Sequence, residues 1–266
     1  MTIWRFLSVV LLLLAPGLCN AQVPTDVKVP TLLLIGDSTV KNHTKGQLGW
    51  GDPLVQHFDA AKIKVLNRAL GGRSSRTFLT EGLWEKVIAE IKPGDFVLMQ
   101  FGHNDGGSLN DPKGRASIKG NGDETKEIVN PTTGVKETVH SYGWYLRRYI
   151  RDTKAKGATA IVLSPVPRKI WKDDKTVARA SGDYGKWAME AAKQEGVAFV
   201  DLNDLIAQRY EVLGKEKVET LFGDEHTHTN AEGAALNADM VVVGLKSMKN
   251  SPFTALLVQD PAHVKP

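Results

Sequence analysis

The chain is nearly without cysteine: its 266 residues contain one, Cys19. An internal disulfide is thereby excluded, so stability has to come from a buried core, and a chain of this length can form one. Long apolar runs are missing too, since the longest, near the start, falls short of the roughly 20 residues a membrane-spanning helix needs. No internal repeat occurs, and no stretch rich in Pro, Gly or Ser marks a linker. Charge of one sign is scarce: 34 Lys and Arg are interspersed with 30 Asp and Glu, leaving a net +4. That mild excess tolerates anionic partners but is no nucleic-acid footprint. What is present, 42% hydrophobic and 24% charged residues, is ordinary globular composition.

The first 21 residues stand apart. Arg5 precedes an apolar stretch from Phe6 to Leu14, and Cys19-Asn20-Ala21 ends on a small residue, the layout of a secretory signal peptide. Cleavage after Ala21 removes the only cysteine and one basic residue, so the net charge falls from +4 to +3. Leu18, directly before Cys19, is bulkier than the residue lipoprotein signals place there, which argues against a lipid anchor. The expectation is a secreted or periplasmic monomer, without membrane attachment after cleavage, in which residues 22–266 form one domain.

Beyond that segment short apolar runs alternate with amphipathic ones. Leu32 to Ile35, Val65 to Asn67, Phe96 to Gln100, Ala160 to Ser164 and Ala198 to Asp201 read as strands. Helical periodicity covers Trp84 to Ile91, Tyr142 to Lys156, Arg179 to Glu195 and Ala231 to Lys249, the first three each stopped by a nearby Gly or Pro. This alternation predicts βαβ units with right-handed crossovers and a parallel sheet covered on both faces. Residues 106–136 resist the pattern: they are polar, glycine-rich and without sustained period, and a loop this long suggests a lid or cleft wall.

The first strand breaks into Gly36-Asp37-Ser38-Thr39, at the sheet edge where open α/β folds place their ligands. Ser38 is a candidate nucleophile there, although the segment by itself fits a helix N-cap better. Asp37 could cap a helix or bond the turn, and no chemical step is assigned to it. Gly71-Gly72-Arg73-Ser74 follows the second strand and could offer backbone N–H groups to an oxyanion, or could be a plain turn or weak phosphate loop. Gly102-His103-Asn104-Asp105 follows the third strand, where Asn104 is either a side-chain oxyanion donor or a turn residue. Before the last helix, Asp224-Glu225-His226-Thr227-His228 combines a base with carboxylates able to orient it. The alternation of His226 and His228 would also suit a metal site.

Taken together, in this order, these four motifs are similar to those of the SGNH or GDSL hydrolase superfamily. More closely, the chain resembles the rhamnogalacturonan acetylesterases from about Leu32 to about Lys249. Further matches are Gly49-Trp50-Gly51, Phe101 through Gly107, Gly134 through Thr138 and Phe222 through Thr229. The resemblance implies a flavodoxin-like three-layer α/β/α sandwich whose five-stranded parallel sheet has order 2-1-3-4-5. It implies an esterase without cofactor or metal that removes acetyl groups from pectic polysaccharide. Ser38 is then the nucleophile, His228 the base, and the N–H groups of Ser38 and Gly72 with the Asn104 amide the oxyanion donors. One position departs from the pattern: the family has Asp three residues before the histidine, where this chain has Glu225, with Asp224 beside it. Spacing favours Glu225 as the orienting acid. For sugar binding the candidates are Arg73, Trp50 and His103, with Arg76, Trp144 and Trp171 behind them, because aromatic faces stack on sugars and arginines pair with uronate carboxylates. Deacetylation of another polysaccharide such as xylan, and non-catalytic carbohydrate binding, are the alternatives.

Overall fold

The computed structural model describes Met1, residues 29–180 and residues 182–259; the rest of the expected signal peptide lies outside them. Apart from two short 3-10 turns at Pro53–His57 and Phe253–Ala255, the described residues form, in order, β1 Thr31–Gly36, β2 Lys64–Asn67, α1 Ser75–Thr80, α2 Leu83–Glu90, β3 Phe96–Gln100, β4 Thr125–Val129, β5 Lys136–His140, α3 Tyr142–Ala155, β6 Thr159–Leu163, α4 Tyr184–Glu195, β7 Ala198–Val200, α5 Leu202–Leu213, α6 Lys215–Glu219 and α7 Ala231–Ser247. The five expected strands all form and pair in parallel as β2-β1-β3-β6-β7. This is the 2-1-3-4-5 order of a flavodoxin-like sheet.

Both faces of that sheet are buried, which is why its strands read as unbroken apolar runs. Leu32 and Leu34 of β1, with Leu98, Ile161 and Leu163, pack under α5 and α7 against Ile206, Tyr210, Val241 and Leu245. Leu33 and Ile35, with Val97, Met99 and Val162, pack under α1 to α4 against Phe78, Trp84, Tyr149 and Ala188. The result is three layers, helix, sheet, helix.

The structure departs from the sequence reading in three places, two of them with a clear physical cause. The long polar stretch contains an antiparallel hairpin, β4 with β5; only Ile128 and Val139 of it are buried, so no alternation betrays it. Helix α4 starts at Tyr184 instead of Arg179, because the Arg179 guanidinium is drawn into ion pairs with Asp204 and Glu211 of α5. Helices α1, α5 and α6 are additional.

Asp105 is a costly group to bury in this scaffold. Its fully buried carboxylate accepts bonds from the Ser75 N–H and hydroxyl and from the Ser117 hydroxyl. Burial nonetheless outweighs those bonds and lifts the carboxyl to about 6 from an ordinary 3.8. The folded state therefore holds the proton more tightly than the unfolded chain. The associated stability is fully present below pH 3.8 and is lost as pH rises through about 6. Urea unfolding at pH 4 and pH 7 should show the stability of Asp105→Asn relative to wild type rising by about 2 kcal/mol between the two. An unchanged difference would contradict this account.

Candidate active site

The β1 edge is shaped by a close approach. A Cβ at Gly36 would sit 2.5 Å from the Gln100 carbonyl oxygen and from Val40 Cγ2, so only glycine lets β1 pass β3 into the next turn. Asp37 then bonds that turn rather than capping a helix: its Oδ1 accepts from the Thr39 N–H at 2.8 Å and from the Thr39 hydroxyl at 2.7 Å. No helix follows Ser38, which removes the N-cap reading. A buried chain of bonds supports the turn from below, Trp50 Nε1 donating to Gln100 Oε1 (2.9 Å) and Gln100 Nε2 to Thr39 Oγ1 (2.6 Å).

Ser38 Oγ lies 2.8 Å from His228 Nε2, across 190 residues of chain. His228 Nδ1 lies 2.5 Å from Asp224 Oδ2. The carboxylate at the His228 ring is thus that of Asp224, and Glu225, the acid that spacing favours, does not reach the ring. Asp224 Oδ1 accepts the backbone N–H groups of His226 (3.1 Å), Thr227 (2.8 Å) and His228 (2.8 Å), a tight wrap that absorbs the extra residue and returns Oδ2 to the ring. Glu225 points outward with its side chain 93% exposed, 3.8 Å from His226 Nδ1. Partial burial opposes ionisation of Asp224, but bonds from the His228 and Thr227 backbone and from the His228 ring outweigh it and hold the carboxyl at about 2. The segment is fastened beside Ser38 by Leu48, whose N–H donates to the Thr229 carbonyl and whose carbonyl accepts from the Thr229 hydroxyl.

Gly72 and Asn104 reach the same cleft. A Cβ on Gly71 would lie 3.6 Å from Ser38 Cβ, so the glycine pair flanks the serine, and Gly72 has φ +78°, a conformation that favours glycine. Asn104 Nδ2 donates to the Arg73 carbonyl at 3.0 Å. The amide has a second N–H that no group among the described residues takes.

The expected sugar contacts fare differently. Trp50 is 1% exposed and belongs to the core, where its indole N–H serves Gln100. Arg73 pairs with Glu81 and with the Gly71 carbonyl and is not a cleft-lining residue. Arg76 is buried in a bidentate pair with Glu137, and Trp144 stacks on His140. Trp171 packs against the core outside the cleft. His103 does line the cleft, but its nitrogens face inward: Nε2 is 3.0 Å from the Val166 carbonyl and Nδ1 is 3.4 Å from Asp37 Oδ2. Burial opposes ionisation of Asp37, yet His103 and the bonds from Thr39 hold its carboxyl below the usual range. The cationic lining comes instead from Lys41, Lys113, Arg115 and Arg168, which composition alone does not single out, and no Asp or Glu among the described residues lines the cleft.

No three His, Cys, Asp or Glu side chains among the described residues converge on a possible metal position. A hydroxyl, an imidazole and a carboxylate in series, beside free N–H donors at the carboxyl edge of a parallel sheet, are the working parts of an acyl-transferring hydrolase. The chain belongs to the GDSL-like lipase/acylhydrolase family, whose pattern matches residues 34–236, and is an esterase. It is 37% identical over 209 residues to the rhamnogalacturonan acetylesterase of Emericella nidulans, covering 79% of this chain and 82% of that protein. It is 31% identical over 236 residues to a Bacillus subtilis protein named "Probable rhamnogalacturonan acetylesterase YesY", covering 86% and 98%. The crystal structure of B. subtilis protein YxiM superimposes with a TM-score of 0.66 at 29% identity, covering 82% of this chain. The chain spans only 56% of that larger structure.

Proposed function

We propose that the protein is an exported acetylesterase that removes O-acetyl groups from an acidic pectic polysaccharide of the rhamnogalacturonan type, with Ser38 as nucleophile. One observation carries the reading: the Ser38, His228, Asp224 series opens into a cleft of about 720 Å³ lined, among the described residues, by four cationic side chains and no carboxylate. A polymer bearing galacturonate carboxylates complements that charge, whereas a neutral chain gains nothing from it. The names of the relatives point the same way.

In this mechanism His228 Nε2 takes the Ser38 proton as Oγ attacks the acetyl carbonyl. Asp224 keeps the proton on Nδ1 and balances the imidazolium that forms. The tetrahedral oxyanion sits against the Ser38 and Gly72 N–H groups and the free N–H of Asn104. Collapse expels the sugar hydroxyl, which receives the proton from His228. Water, deprotonated by His228, then hydrolyses acetyl-Ser38 to acetate and restores the serine. Export would follow from removal of residues 1–21, and the mature chain would act as a monomer without a cofactor.

Acetate release from acetylated rhamnogalacturonan, homogalacturonan and xylan, with Ser38→Ala as control, tests the substrate class. Rhamnogalacturonan should be the best substrate, and its KM should rise with added NaCl while that for xylan stays flat. Preference for xylan, or salt-indifferent KM for the acidic polymers, would overturn the pectic reading.

A further inference from the structure

Arg115 stands in the long polar excursion, and its guanidinium touches two of the three residues assigned above to the oxyanion, Asn104 and Gly72. Its Nη1 donates to Asn104 Oδ1 at 2.8 Å, and the same nitrogen lies 3.4 Å from the Gly72 carbonyl oxygen. Asn104 comes from the end of β3 and Gly72 from the end of β2, so one cation bridges two loops that nothing in the local sequence links.

The surrounding chain fixes that cation in place. Residues 106–113 are largely exposed, but Ala116 and Ser117 directly after Arg115 are buried. The Ala116 carbonyl accepts from Arg76 Nη1 at 2.8 Å, and Ser117 is bonded through its N–H to the Asp105 carbonyl (3.0 Å) and through its hydroxyl to Asp105 Oδ1 (3.1 Å). Asp105 is the neighbour of Asn104, so the anchor of Arg115 and the group it touches share one support.

We infer that Arg115 is a positioning residue for the oxyanion site: it fixes which way the Asn104 amide faces and strengthens its donor end. An asparagine amide can turn end for end, and the wrong orientation would present oxygen to a developing oxyanion. With Oδ1 held by a guanidinium and one N–H held by the Arg73 carbonyl, the remaining N–H has a single direction left. A cation on the amide oxygen also polarises the group, making that N–H a better donor. The inference rests on the serine mechanism proposed above.

Hydrolysis of p-nitrophenyl acetate tests it without reference to any polymer. Arg115→Ala should lower kcat about 10- to 100-fold, the worth of a charge-assisted bond, with KM changed little. Arg115→Lys, which keeps a charged donor and the fold if the alanine variant does not, should fall less. Added guanidinium ion should restore part of the lost kcat in Arg115→Ala. On an Asn104→Ala background, the Arg115→Ala loss should shrink towards unity, because the group it acts through is gone. The inference is overturned if Arg115→Ala raises KM with kcat intact, which would make Arg115 a substrate contact, or if its loss persists in full without Asn104. Hydrolysis independent of Ser38 would overturn the serine mechanism and this inference with it. Hydrolysis that needs Ser38 but is indifferent to Arg115 would overturn the inference alone.

Discussion

Replacing Asp224 by asparagine should lower kcat by roughly 10⁴ without unfolding the protein, while Glu225→Gln should stay within about twofold of wild type. The asymmetry follows from what each side chain touches. Asparagine at 224 can still accept the three backbone N–H groups through Oδ1, so the turn survives. Its Nδ2, however, would donate to His228 Nδ1 and force the proton onto Nε2, the nitrogen that must accept from Ser38. Glu225, exposed and 3.8 Å from His226, has no contact with the His228 ring to lose. Single-turnover rates on a chromogenic acetate, read beside thermal unfolding, decide the matter. A crippled Glu225→Gln beside an active Asp224→Asn would return the role to the residue that spacing favours.

Ser38→Ala should be more damaging still, with kcat reduced by about 10⁶ and an unfolding midpoint close to wild type. Among the described residues the hydroxyl bonds only to His228, and the turn around it is held by Asp37, Thr39 and Gln100, so the fold loses little. Acetate release and burst amplitude are the measurements. A variant retaining a few per cent of the rate, inhibited by a chelator and restored by zinc, would replace serine chemistry with a metal at His226 and His228.

The parallel sheet was legible because burial on both faces writes each strand as a continuous apolar run, from Leu32 to Ile35 most plainly. The hairpin was not, since eight of its ten residues carry no packing signal. The site divides along the same line. Ser38, Gly72, Asn104 and His228 could be named because they stand where strands end or a helix begins, in motifs whose order is informative. The choice between Asp224 and Glu225 depends on how a turn coils, which spacing does not encode. Trp50 looked like a sugar platform because composition cannot tell an aromatic ring in the core from one at a cleft. Arg115 left no trace at all: it lies in a stretch without period, and its partners are 11 and 43 residues away in the chain.

The acid and the base occupy one five-residue turn, wound on its own amide groups. Only the join between Ser38 and His228 spans the molecule. The proposed catalytic geometry therefore has, to first order, a single degree of freedom: the gap between the β1 edge and the segment carrying His228, pinned by the paired bonds of Leu48 and Thr229. Mutational drift elsewhere in the chain can reach the relay chiefly by changing that one separation.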